Sequence, residues 1–407
     1  MRVLLVRGLG VVALFGFEIS MARWLGVVGY GTFNFLLAIA IVVARVAPLG
    51  WLHASTRLIS SYDNSKQYGL LKGALIQSHV TTGLGLALAV ALLWLVGLAW
   101  PASFSKVNLW YVAPLIAGLA LVELHRYLLR GFHAGDLGEA LPVLILPSIV
   151  ILGGWLFRVG NPDTAVYLYS ASCAVVLVIS AIAIIHRISP AVRQSAATFR
   201  TREWTLVALA MLVGGLSDEI TSHVAVLVLG FLGAERGVGL FQAAFRLALM
   251  NVFMLRILSP VAAPKISVLY SEGRLVELRA EFKRLCLLAL AGALPFFLVF
   301  WFAGRFVLSW FGPEFADAEP ILRILSVGYL ASAATGPCAT ALLMIGKERI
   351  YGVLAFVNML LNALFGYYLA KNYGATGVAV SAAAMMVLAN VTYLAIFLRS
   401  TRSTSKD

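Results

Sequence analysis

Twelve apolar stretches, separated by short connections, carry basic residues that rise and fall from one connection to the next. The stretches are approximately 3–22, 32–52, 73–99, 109–130, 139–158, 163–186, 204–230, 238–264, 285–304, 320–345, 351–370 and 376–398. Each approaches the roughly 20 apolar residues that a helix needs to cross a bilayer. The ends and the even-numbered connections hold Arg2 and Arg7; Arg57, Lys66 and Lys72; Arg126 and Arg130; Arg187, Arg193, Arg200 and Arg202; Lys265, Arg274, Arg279, Lys283 and Arg284; Lys347 and Arg349; Arg399, Arg402 and Lys406. The odd connections hold one each: Arg23, Lys106, Arg158, Arg236, Arg305 and Lys371. Lys and Arg concentrate in the cytoplasmic loops of membrane proteins, so both termini are expected in the cytoplasm. A span count wrong by one would scramble the alternation. The chain is therefore read as an all-α polytopic protein of the cell membrane with twelve transmembrane helices.

With 61% apolar and 12% charged residues, no sizeable soluble domain fits between the spans. The net charge of +13 would suggest nucleic acid in a soluble protein. Here the inside loops and anionic lipid headgroups account for it, and no nucleic-acid partner is expected. Cys173, Cys286 and Cys338 fall within spans, so buried thiols are expected rather than disulfides. Arg2, Arg7 and Ser20-Met21-Ala22 have the look of a cleaved signal peptide. Glu18 inside that stretch argues against it, as does the repeat below, which uses the stretch as a first helix. Trp24, Trp51, Trp100, Trp110, Trp204 and Trp310 lie near span ends, where interfacial anchoring is expected.

The sequence repeats at an offset of 208: Gly29-Tyr30-Gly31-Thr32-Phe33 matches Gly237-Val238-Gly239-Leu240-Phe241, and Arg57, Tyr62 and Lys66 match Lys265, Tyr270 and Arg274. Upstream, Leu25-Gly26 matches Leu232-Gly233 with a shift of one. Six spans separate the copies, so they share an orientation, as in halves related by an axis along the membrane normal. The organisation expected is a six-helix lobe over 1–186, a cytoplasmic linker over 187–203, a second six-helix lobe over 204–398 and a cytoplasmic tail over 399–407. Pro48, Pro142, Pro147, Pro260, Pro264, Pro295 and the Gly336-Pro337 pair interrupt spans, and Gly336-Pro337 is the best hinge among them.

Charge at bilayer depth costs roughly 2.5–3.5 kcal/mol even on lenient scales, so it tends to face protein or water. Arg45 and Arg256 lie in the cytoplasmic halves of the second and eighth spans. Arg246 sits about 15 Å further out if the eighth span is straight, rotated roughly 80° from Arg256. Together they suit a phosphate or pyrophosphate. The alternatives are snorkelling of Arg45 and Arg256 to headgroups and neutralisation of Asp218 or Glu219 by Arg246. Arg323 has Glu319 one turn earlier, the spacing of a local ion pair. Glu18, Asp218 and Glu219 lie deep enough to hold a coupling proton or sodium ion, with His223 one turn beyond Glu219; a structural pair with Arg246 is the other reading. Glu123 and His125, beside Arg126, are placed near the cytoplasmic interface. No metal-ligand spacing and no phosphate-binding glycine loop is present, and the six histidines are scattered.

Gly29-Tyr-Gly-Thr-Phe33, the Arg57-Leu-Ile-Ser-Ser-Tyr62 stretch, Phe231 through Arg246, Leu361-Asn-Ala-Leu-Phe365 and the Tyr373–Val380 run resemble the polysaccharide-biosynthesis flippases. That family belongs to the superfamily of multidrug, oligosaccharide-lipid and polysaccharide exporters. The resemblance covers nearly the whole chain through diffuse packing patterns. It implies a twelve-helix, two-lobed, MATE-like transporter that moves polyprenyl-pyrophosphate-linked oligosaccharide to the outer leaflet through a cationic cavity. Membrane lipids and polysaccharide polymerase or assembly proteins are the partners it suggests. The chain departs from the family where an acid often precedes the equivalent of Phe231: Ala225 and Val226 stand there, and the acids sit at Asp218 and Glu219.

Two other functions compete with this one. A multidrug antiporter for organic cations would prefer a cavity of acids and aromatics over one lined by arginines. A glycan polymerase or ligase would need an extracytoplasmic region and a nucleophile–base constellation, and the outside connections are short. A transporter without a resident cofactor is the reading kept.

Overall fold

The computed structural model describes residues 2–99 and 109–401, without the side chains of residues 2–5, 7, 99, 109–111 and 213–219. Every regular element among the described residues is helical, as lipid demands, because a helix satisfies its own backbone groups. The chain divides into two compact units, Met1–Glu219 and Ile220–Asp407.

The first unit opens with α1 (Arg2–Val46), 45 residues with a non-helical Gly26 at φ 65°. At 1.5 Å per residue it would be about 67 Å long if straight, more than twice the ~30 Å of a bilayer core. It folds back instead. Tyr30 donates its hydroxyl to Glu18 across the bend at 2.5 Å, and the Phe17 and Phe33 rings meet at 6.2 Å. Then come α2 (Trp51–Asn64), α3 (Tyr68–Ala99), α4 (Leu109–Gly131), α5 (Gly135–Ala140) leading through a π-turn to α6 (Leu146–Phe157), α7 (Pro162–Arg187) and the short α8 (Pro190–Gln194). α9 (Thr201–Phe231) runs across the division.

The second unit continues with α10 (Glu235–Ala248), a 3-10 turn at Leu249–Val252, α11 (Phe253–Ser271), α12 (Leu275–Leu308), α13 (Glu319–Thr335), α14 (Cys338–Met344) and α15 (Glu348–Ser400). α15 is 53 residues long with a non-helical Gly374, and it too doubles back: a Cβ on Gly377 would fall 2.3 Å from the Leu369 carbonyl oxygen. Ser381 reaches the Asn362 side chain at 3.2 Å. Nine continuous described helices are long and apolar enough to span a membrane. The bends at Gly26 and Gly374 divide two of them, and α9 carries a shorter apolar stretch, Ile220–Phe231.

The internal repeat is visible in the backbone. Lys66 and Gly273 hold φ of 56° and 72° at equivalent helix ends. The Lys66 and Gln67 amides bond back to Asp63 and Tyr62, and those of Gly273 and Arg274 to Tyr270 and Leu269. These caps match at an offset of 207, as do the bends at Gly26 and Gly233. The side-chain pairing of Tyr62 with Tyr270 and Lys66 with Arg274 is thus one residue out of backbone register. A second pair of caps, at His133 (φ 59°) and Gly346 (φ 74°), repeats the pattern between later helices. Lys66 and His133 are exposed and left-handed, a conformation where glycine escapes a cost of roughly 1–2 kcal/mol. Lys66→Gly and His133→Gly are each expected to stabilise the protein by about 1 kcal/mol, read as a higher midpoint in thermal unfolding followed by tryptophan fluorescence.

In the first unit α4 is central. Its Leu115, Ile116, Leu124 and Leu128 are fully buried, and Gly118 lets it approach Cys173 of α7 so closely that a Cβ would sit 2.7 Å away. The outer face of α3 presents Leu84, Leu88 and Leu92 one turn apart, the stripe a lipid-facing helix needs. In the second unit, Ile266, Leu278, Cys338, Leu342 and Phe397 form one core, while Gly328 of α13 lies against Ala383 of α15. Gly336, at φ 68°, ends α13 before α14 begins at Cys338, so the Gly336-Pro337 pair does interrupt its span.

Trp51 and Trp204 are not interfacial anchors. They are 1% and 0% exposed, their rings lie 6.3 Å apart, and Trp204 donates its indole N–H to the Tyr62 hydroxyl at 2.9 Å. Trp24 is half-buried and packs on Gly154, whereas Trp310 is exposed. The side chains of Trp100 and Trp110 lie outside the described residues. Residues 193–198, read from sequence as linker, are bound to α3. Lys72 donates to the Arg193 and Ser195 carbonyls at 2.8 and 3.0 Å, and the Thr198 amide donates to Gly69. A Cβ on Gly73 would lie 1.9 Å from the Thr198 oxygen, so the ribbon runs in a slot that glycines keep open.

Candidate functional site

In each unit, arginines that the sequence places at membrane depth stand beside a break in a helix. In the first unit, α1 ends at Val46, and Ala47 through Gly50 form a turn before α2. Pro48 withholds an N–H there and Gly50 takes φ 85°. Arg45 stands just before this break. Its guanidinium reaches Glu123 of α4 at 2.8 Å.

Glu123, Arg126 and Arg130 are spaced to share one face of α4. The cap after Gly131 turns the chain back, and Gly138, where a Cβ would come within 2.9 Å of the Arg126 oxygen, brings α5 against α4. Glu139 is thereby placed between the two arginines, 3.1 Å from Arg126 and in direct contact with Arg130. Arg126 also meets Glu123 at 3.2 Å. The ring of His53 on α2 lies edge-on to Tyr127 at 5.0 Å. Among the described residues the network holds three guanidiniums and two carboxylates.

Glu139 is 6% exposed, so removing its charge strands two arginines in a poorly hydrated place. Glu139→Gln is expected to cost about 3 kcal/mol, seen as a lower unfolding midpoint, while Glu203→Gln on an exposed pair leaves that midpoint in place.

In the second unit the corresponding break is the 3-10 turn at Leu249–Val252. Asn251 is fully buried there, donates to the Ala248 carbonyl at 2.9 Å and lies 3.4 Å from the Ser326 hydroxyl. Arg246 and Arg256 stand on either side of this turn. The straight-helix geometry expected from the sequence therefore does not apply between them. Arg246 is half-buried and Arg256 exposed. The buried Tyr329 of α13 packs against Phe245, the neighbour of Arg246, at 6.4 Å. Among the described residues Arg256 makes no salt bridge. Arg323 is committed elsewhere, to Glu319 at 2.7 Å and over the Trp301 ring at 5.5 Å.

Of the acids, Glu18 is 1% exposed and accepts the Tyr30 hydroxyl across the hairpin. Asp218 and Glu219 lie on α9, and their side chains are outside the described residues; His223 is half-buried. The structure thus sets Arg246 and Arg256 on either side of a turn in one unit and ties Arg45 to Glu123 in the other. The sequence reading left out Glu139 and set Glu123 and His125 at the interface. The signal that could have found the network was the Glu123, Arg126, Arg130 spacing, with an acid just beyond the following turn.

No family model matches the chain, and no curated protein matches it in sequence. Solved structures do match in fold. An inward-facing multidrug-resistance MATE family transporter of the MOP superfamily aligns with a TM-score of 0.77 at 14% identity, covering 98% of this chain and 96% of the other. The lipid II flippase MurJ in an inward closed conformation aligns at 0.72 and 14% identity, covering 98% and 86%. A MOP superfamily transporter from Pyrococcus furiosus, described as having a binding pocket of reverse polarity, aligns at 0.62 and 16% identity, covering 100% and 96%. The chain is a polytopic membrane protein with the all-helical, two-unit fold of MOP-superfamily transporters.

Proposed function

We infer that this protein flips a lipid-linked oligosaccharide, carried on a polyprenyl pyrophosphate, from the inner to the outer leaflet for polysaccharide biosynthesis. The observation that carries the reading is the placement of Arg246 and Arg256 on either side of the 3-10 turn, with Arg256 exposed. Two arginines flanking one turn offer the forked donors that a pyrophosphate accepts. They repel an organic cation, which disfavours the multidrug reading despite the MATE neighbours. Arg45, bridged to Glu123, is the third arginine assigned to the substrate. The alternating basic loops support cytoplasmic termini and a cell-membrane location. Glu18, Asp218 and Glu219 are the proposed carriers of a coupling proton or sodium ion.

Reconstitution into vesicles tests the function. A fluorescent short-chain polyprenyl-pyrophosphate oligosaccharide should cross the bilayer only in vesicles holding the protein, and its rate should fall as unlabelled lipid pyrophosphate is added. Saturable uptake of an organic cation without movement of the anionic lipid would reverse the assignment.

A further inference from the structure

Inside the first unit, two histidines and a serine form a polar chain across α3, α4 and α7. His79 of α3 lies with its Nε2 3.2 Å from Nε2 of His125 on α4. The His125 Nδ1 lies 2.6 Å from the Ser180 hydroxyl on α7. Backbone carbonyls close both ends: His79 Nδ1 is 2.8 Å from the Leu75 oxygen, and Ser180 Oγ is 2.9 Å from the Leu177 oxygen. His125 is 8% exposed and Ser180 fully buried, whereas His79 is half-buried and is the open end of the chain.

Counting hydrogens decides what this arrangement wants. Four consecutive links run from the Leu75 oxygen to the Leu177 oxygen, and each requires one hydrogen. The terminal carbonyls can only accept. A neutral chain supplies three, one from each imidazole and one from the hydroxyl. Ser78 does not alter the count, because its own hydroxyl is spent on the Leu75 oxygen at 2.8 Å. In the neutral state one link is always empty, and the tautomers of the two rings decide which. One added proton fills all four. A second would place two cations in contact across 3.2 Å.

We propose that His79, His125 and Ser180 form a binding site for a single proton, shared between the two rings and entered from His79. The neighbouring charges are occupied with other partners. On α3, Lys72 lies two turns before His79 and holds the Arg193 and Ser195 carbonyls. On α4, Glu123 and Arg126 bond to each other and, through Arg45 and Glu139, to α1 and α5. His53 on α2 faces Tyr127, and Glu18 on α1 holds Tyr30. Arg187 on α7, two turns beyond Ser180, donates to the Phe132 carbonyl. Protonation completes the links from α3 through α4 to α7, so the three helices are pinned together more firmly in the protonated state.

The inference does not rest on the transported lipid, and its test needs no transport. Protein labelled with 15N-histidine, held in lipid nanodiscs, is titrated by NMR, with His79→Gln and His125→Gln assigning the rings. Expected is one protonation step felt by both rings, lost in either variant, with the surviving ring titrating by itself. Ser180→Ala leaves the charged pair with an unsatisfied N–H, so proton affinity should fall about tenfold. If His125→Gln yields no monodisperse protein, Ser180→Ala and His79→Gln, at a hydroxyl and a half-exposed ring, still decide the matter. Independent titration of the two rings, or an unchanged step in Ser180→Ala, would overturn the site.

Discussion

Gly50→Ala and Gly85→Ala are each expected to abolish recovery of folded protein, with a loss of about 4 kcal/mol or more, the range reserved for severe core defects. Both glycines clamp the break that follows α1. A Cβ at Gly50 would lie 1.8 Å from the Ala208 carbonyl oxygen of α9, and Gly50 also holds φ 85°. A Cβ at Gly85 of α3 would lie 1.9 Å from the Ala47 carbonyl oxygen. The obstructing atoms are backbone, which cannot swing aside as the end of a long side chain can, and packed interiors answer such insertions with strain. Gly83→Ala is the matched control. Gly83 has nothing within 4 Å of its Cβ position, so inside a helix it should be neutral or stabilise by roughly 0.5–1 kcal/mol. Size-exclusion profiles of the three variants give the comparison, and a monodisperse Gly50→Ala peak of wild-type yield would refute the clamp.

The second large effect concerns transport. Replacing Arg246 and Arg256 together by alanine is expected to lower the flipping rate about 10³-fold while the protein still inserts and purifies. Each charge-assisted contact to a phosphate oxygen is worth roughly 1.5–3 kcal/mol, and two of them convert to that factor. Lysine at both positions should restore part of the rate, because it returns charge without the planar fork. Arg323→Ala should leave transport near wild type, since that guanidinium is already engaged by Glu319 and Trp301. A double alanine variant that flips lipid at the normal rate would remove Arg246 and Arg256 from the substrate path.

The architecture was legible because its signals are long. Apolar runs of twenty residues and a charge alternation around the whole chain survive local ambiguity. Gly26 and Gly374, which turn two helices back on themselves, sit in segments where the sequence already required a reversal. What escaped depends on contacts that no spacing encodes. Trp51 and Trp204 sit at helix ends, where lipid anchoring is the usual role, and only the approach of α9 to α2 shows them to be a buried pair. Arg246 and Arg256 invited a straight-helix construction, but buried Asn251 caps the Ala248 carbonyl within a 3-10 turn between them. Glu139 and Arg126 are thirteen residues apart, and their pairing required the exact reversal at His133. His79, His125 and Ser180 come from three helices, so each looked solitary.

The ribbon at residues 193–198 has a mechanical consequence. Because Lys72, Gly69 and Gly73 seat it along α3, it offers no slack: a pull on the first turn of α9 is delivered straight to α3. Spacer residues inserted between Ser195 and Thr198 would turn that taut tether into a loose one, leaving both helices intact but uncoupled.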